Sequence, residues 1–128
     1  DRSRPGTEVF RRVTSIMRLG LSLIVFPEGT RSIDGSLQEF KRAIFVLAIE
    51  AGMPVVPLTV NGSRHIMRRG RLMTCPGQVT LTVHRPIMTK GLSRSQAAEL
   101  AERVQHIVST ALSGDDAERA QSGTVIKQ

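Results

Sequence analysis

A chain of 128 residues, 40% hydrophobic and 23% charged, fits one soluble-type domain, and at that size it buries roughly two-thirds of its unfolded surface. A single cysteine, Cys75, excludes an internal disulfide and a cysteine-only metal site and favours a reducing compartment. The formal net charge of +7 is unevenly laid: no acidic residue lies between Glu50 and Glu99, an interval that holds Arg64, Arg68, Arg69, Arg71, Arg85, Lys90 and Arg94. One sign of charge over such a length attracts phosphate, an anionic bilayer or an acidic protein, unless it is only a solvated face.

From Thr7 to Leu19 the apolar residues Val9, Val13, Ile16 and Met17 recur at helical spacing, and Gly20 is a natural stop. "LSLIVF", residues 21–26, reads as a short buried strand. The turn formers Pro27, Gly29, Asp34 and Gly35 mark the loop after it. A second helix is predicted from about Phe40 to Ala51, with Phe40, Ile44, Leu47 and Ala48 on one face, Ser36 and Glu39 at capping-box spacing before it and Gly52 beyond its end. "PVVPLTV" reads as a second strand closed by the turn pair Asn61-Gly62, and "QVTLTVHR" as a third with Val79, Leu81 and Val83 on one face. The last helix is predicted over about Arg94 to Leu112, capped by Ser93 and Gln96 and striped by Leu100, Val104, Ile107, Val108 and Ala111.

Beyond Gly114 apolar content falls, so 113–128 is expected to be a disordered tail and 1–112 the folded part. The order of elements predicts an α/β layer: a partial mixed or parallel sheet with flanking helices, in which the first strand, second helix and second strand form a βαβ unit. Three strands make a thin sheet, and the chain opens at Asp1 with no initiating Met; the expectation is a piece of a longer protein whose N-terminal part is missing. No apolar run approaches the roughly 20 residues of a membrane helix.

The chemistry concentrates in "VFPEGTRS". In open α/β sheets ligands sit beyond the carboxyl ends of the strands, which is where Glu28 to Ser32 fall. Gly29 lets backbone approach a ligand, Thr30 and Ser32 offer hydroxyls, and Arg31 can hold a phosphate through two parallel charge-assisted hydrogen bonds. Glu28 can orient that guanidinium or accept from a substrate hydroxyl, and Lys41 adds a second cation. The plain alternative is a polar turn in which Glu28 pairs with Arg31. Neither a Walker loop nor Gly-x-Gly-x-x-Gly occurs.

"VFPEGTRS" followed by "FKRAIFVLAIEAGMPVVPLTV" resembles the 1-acylglycerol-3-phosphate acyltransferase (lysophosphatidate acyltransferase) family. Phe26 to Ser32 match the family's third motif throughout, Val55-Val56-Pro57 match its fourth, and Asp1-Arg2 match the end of its second. The likeness covers about Asp1 to Leu112. It departs at Ala43, where the family often has glycine. The resemblance implies a glycerolphosphate-acyltransferase-like fold and transfer of a fatty acyl group from acyl-CoA or acyl-carrier protein to the hydroxyl of a lysophospholipid or glycerol phosphate. No cofactor or metal is implied. Glu28, Gly29, Thr30 and Arg31 would form the acceptor-binding motif with Arg31 on the phosphate, helped by Arg2 and Lys41.

Acyl transfer to an alcohol needs a general base. The family supplies a histidine in Asn-His-x4-Asp, expected upstream of Asp1. None of the three histidines here, His65, His84 and His106, has an aspartate five residues on, so each reads as a bystander. This chain is therefore expected to hold the acceptor half of a site and to be inactive alone. The expected partners are the acceptor, the acyl donor and an anionic membrane surface, with the protein membrane-associated at the cytoplasmic face. The alternative is a non-catalytic lysophospholipid- or anion-binding module that has lost its base. A nucleic-acid binder is disfavoured, because no Trp or Tyr is available for base stacking.

Overall fold

The computed structural model describes residues 5–29, 36–66 and 73–112. The first helix, α1 (Pro5–Arg18), opens on a proline, whose missing N–H costs nothing there, and carries Glu8 in its first turn and Arg18 in its last, each opposing the helix dipole. Glu8 and Arg12 pair at 3.1 Å across one turn on the exposed face. Phe10, Val13 and Met17 are half-buried, and α1 lies in contact with the second helix.

Residues 21–26 do not form the expected strand. Leu21 is 53%, Ile24 75% and Phe26 79% exposed. A strand exists only with a hydrogen-bonded neighbour, and among the described residues no ladder reaches this run. The expected parallel βαβ pair is accordingly absent among the described residues, although helices flanking a small sheet remain.

The second helix, α2 (Arg42–Ala51), starts later than the spacing of Ser36 and Glu39 suggested; its N-cap is Lys41, with no side-chain cap. It ends as expected at Gly52, and the Met53 N–H returns to the Ala48 carbonyl at 3.0 Å. The buried face is Phe45, Ala48 and Ile49, one step round from the predicted stripe. Phe40, just outside the helix, stacks on Phe45 with ring centroids 6.4 Å apart.

A two-stranded antiparallel sheet follows, built from β1 (Leu58–Asn61) and β2 (Thr80–Val83), with Leu58 opposite Val83 and Asn61 opposite Thr80. A short helix, α3 (Ser63–Ile66), comes between them, and an isolated bridge joins Val55 to Ile87. Gly62 turns the chain out of β1 at φ +85°, where a Cβ would lie 2.2 Å from the Gln78 carbonyl oxygen, so only glycine fits. The predicted apolar face of β2 is real but faces outward: Leu81 is 57% and Val83 64% exposed.

The last element is α4 (Ala97–Thr110), led in by a 3-10 turn (Arg94–Gln96). The predicted Ser93/Gln96 capping box is present, with Ser93 N–H donating to Gln96 Oε1 at 2.8 Å. The core lies between α2 and α4: Phe40, Phe45, Ile49 and Ile87 against Ala97, Leu100, Ala101, Val104 and Val108. Thr89, 1% exposed, is satisfied by donating to the carbonyls of Met53 (2.8 Å) and Ala48 (3.2 Å). No helix among the described residues is long and apolar enough to cross a membrane. The predicted tail over 113–128 lies outside the described residues.

Candidate functional site

The loop after residue 26 is shaped first by local chemistry. Gly29 N–H donates to the Phe26 carbonyl at 3.1 Å, closing a tight turn in which Gly29 takes φ +73°. That left-handed value is nearly free for glycine and strained for any residue with a Cβ.

Three longer ties then hold the segment leading into α2: Pro27 carbonyl accepts from Lys41 N–H at 2.8 Å, Glu28 Oε2 from Gln38 N–H at 2.9 Å, and Gln105 Oε1 from Phe40 N–H at 3.2 Å. The last reaches from α4. Together they take up three backbone donors in the stretch just before α2, from Gln38 to its N-cap Lys41.

The result brings Lys41 beside Gly29. A Cβ placed on Gly29 would sit 3.7 Å from Lys41 Cε, so the lysine stem runs along the glycine backbone. Lys41 is exposed, and among the described residues the ion pairs are Glu8–Arg12 and Glu50–Arg94, neither of which engages it. An unpaired ammonium next to open backbone suits an anion.

Of the residues singled out in the sequence, Glu28, Gly29 and Lys41 are thus assembled in one place. Arg2, Thr30 and Arg31 lie outside the described residues. Gln38 and Gln105 carried no signal in the sequence: the first contributes a backbone amide, and the second acts across a separation of 65 residues.

The histidines are dispersed. His84 Nε2 lies 2.8 Å from Thr59 Oγ1 at the end of β2, His106 is exposed on α4, and His65 belongs to α3. In the basic interval, Arg94 pairs with Glu50 at 3.1 Å, Arg85 and Lys90 are exposed, and Arg68, Arg69 and Arg71 fall outside the described residues. No group of three or more His, Cys, Asp or Glu placed to hold a metal occurs among the described residues.

Comparison with known proteins gives this arrangement a context. The model of the family described as Acyltransferase matches residues 1–61. The chain is 33% identical over 114 residues to the 1-acyl-sn-glycerol-3-phosphate acyltransferase alpha of Mus musculus, covering 86% of this chain and 40% of that protein. It is 39% identical over 85 residues to the chloroplastic 1-acyl-sn-glycerol-3-phosphate acyltransferase BAT2 of Brassica napus, covering 66% of this chain and 25% of that one.

Among solved structures, it resembles the crystal structure of the 1-acyl-sn-glycerophosphate (LPA) acyltransferase PlsC from Thermotoga maritima with a TM-score of 0.71 and 37% identity, over 79% of this chain and 43% of that one. The chain thus spans less than half the length of each of these relatives. The mixed helix-and-sheet fold is therefore the corresponding part of the PlsC fold, and the family motifs in residues 1–61 fall within the matched segment. By sequence and by fold, this chain belongs to the acyltransferase family.

Proposed function

We propose that the chain is the acceptor-binding portion of an O-acyltransferase that moves a fatty acyl group from acyl-CoA or acyl-carrier protein to the hydroxyl of 1-acylglycerol 3-phosphate. The observation that carries this reading is the meeting of Lys41 with the Glu28-Gly29 turn, in a loop whose sequence matches the family's acceptor motif. Arg31 takes the acceptor phosphate, Arg2 and Lys41 add neutralising charge, and Gly29 and Thr30 line the approach. The basic interval faces an anionic membrane at the cytoplasmic side or an acidic carrier protein.

The base that deprotonates the acceptor hydroxyl comes from a part of the intact protein outside this sequence. Within the chain, His84 is engaged with Thr59 and none of the histidines has the aspartate partner. That same observation favours, as the second reading, a lysophospholipid- or anion-binding module without turnover.

The test is acyl transfer by the full-length protein, supplied with lysophosphatidate and an acyl donor. Phosphatidate is expected above background, and none from residues 1–128 alone. Arg31→Ala is expected to weaken the acceptor roughly 10- to 100-fold, the worth of a lost charge-assisted contact. Acceptor binding without any product leaves the module reading; neither binding nor product removes both.

A further inference from the structure

Glu28 presents a chemical puzzle. A carboxylate aimed at a bound phosphate repels it, and the repulsion grows as water is excluded. The structure places that carboxylate elsewhere: Oε2 accepts the Gln38 backbone N–H at 2.9 Å, across ten residues. Outside that bond, one residue before Glu28 and three after Gln38, the Pro27 carbonyl accepts the Lys41 N–H at 2.8 Å. The two bonds are nested, 28 to 38 inside 27 to 41, and together pinch the base of the segment that carries Thr30 and Arg31 in the sequence.

We infer that Glu28 is a positioning residue: its carboxylate holds the Gln38 amide and so fixes Lys41 against Gly29, and it does not contact the acceptor. The inference rests on the acceptor-site reading above and refines one residue of it.

Three features support it. A charged acceptor makes a backbone hydrogen bond about twice as strong as a neutral one, which suits a tie in an exposed loop where a neutral side chain competes poorly with water. Gln38 stands three residues before Lys41, so holding its amide restricts the backbone that delivers the ammonium. Finally, Gln105 Oε1 takes the intervening Phe40 N–H at 3.2 Å, so the same short stretch is gripped from a second side.

The test separates charge from hydrogen bonding. Glu28→Gln keeps an accepting oxygen and loses the charge; Glu28→Ala loses both. Amide exchange at Gln38 is read in the chain itself, and acceptor KM and kcat in the full-length enzyme. Glu28→Gln is expected to keep Gln38 protected and to raise the acceptor KM about threefold. Glu28→Ala is expected to speed exchange at Gln38 about tenfold and to raise KM about tenfold, with a smaller change in kcat.

The inference is overturned if Glu28→Gln damages KM as much as Glu28→Ala while Gln38 stays protected, since the charge then acts on the acceptor directly. It is equally overturned if Glu28→Ala leaves exchange at Gln38 unchanged. If the unaltered enzyme transfers no acyl group, the acceptor-site reading fails, and the exchange measurement still decides whether the tie exists.

Discussion

Asn61 and Thr59 show how single polar side chains on a strand tie down the end of a distant helix. Along the last turn of α4, Ser109 Oγ donates to the His106 carbonyl, Thr110 Oγ1 to the Ile107 carbonyl and the Ala111 N–H to the Val108 carbonyl. From β1, Asn61 Nδ2 donates to the Ala111 carbonyl at 2.9 Å, and Thr59, fully buried, sets its hydroxyl between the Val108 carbonyl at 3.5 Å and His84 Nε2 at 2.8 Å. Asn61→Asp removes the donor and sets a negative charge against the negative end of the helix. It is expected to cost about 1–3 kcal/mol, read as a lower urea midpoint. An unchanged midpoint would mean that water replaces the amide without loss. Alternation along β1 shows that Thr59 and Asn61 share a face, but the carbonyls they serve lie about 50 residues away, and no local pattern reveals them.

Among the elements, α4 was the most legible. Its stripe and its start are both written in adjacent residues, and the 3-10 lead-in changes neither. Ser93→Ala is expected to cost about 1 kcal/mol and to lower the thermal midpoint by roughly 4 °C, followed by helical circular dichroism; no shift would show that Gln96 alone holds the turn. At the head of α2 a similar spacing misled. Ser36 and Glu39 could cap only if the helix began at once, whereas Phe40 is drawn into the core against Phe45 and the helix waits until Arg42. The run at 21–26 failed differently. Its composition reports a preference for burial, but pairing needs a neighbour that composition cannot supply. The site was readable to the same degree: Glu28, Gly29 and Lys41 were identifiable by type, while the ties that join them depend on tertiary placement.

On the scale of the whole molecule, apolar surface remains uncovered along residues 21–26 and on Val56, Leu58, Val60, Leu81 and Val83 in and beside the sheet. Leu58 faces Val83 and Val60 faces Leu81 across the ladder, so these four form one surface. Apolar area of this kind marks a contact site or an aggregation hazard. The chain alone is expected to bind an apolar fluorescent dye and to self-associate in light scattering. In a protein that carries the remaining length of the acyltransferase relatives, the amides of 21–26 are expected to exchange far more slowly than in this chain. Equal rates in the two would mean that the run is not covered there.

The bond from Gln105 to Phe40 has a temporal consequence as well. Its partners are 65 residues apart, and a growing chain gains the second only after that further length is added, at a rate of about 5–20 residues per second. For several seconds the ribosome holds a loop with its family motif complete and one of its supports still untranslated. A nascent chain stopped before Gln105 carries the motif without that support, so the tie at Phe40 waits on the synthesis of α4.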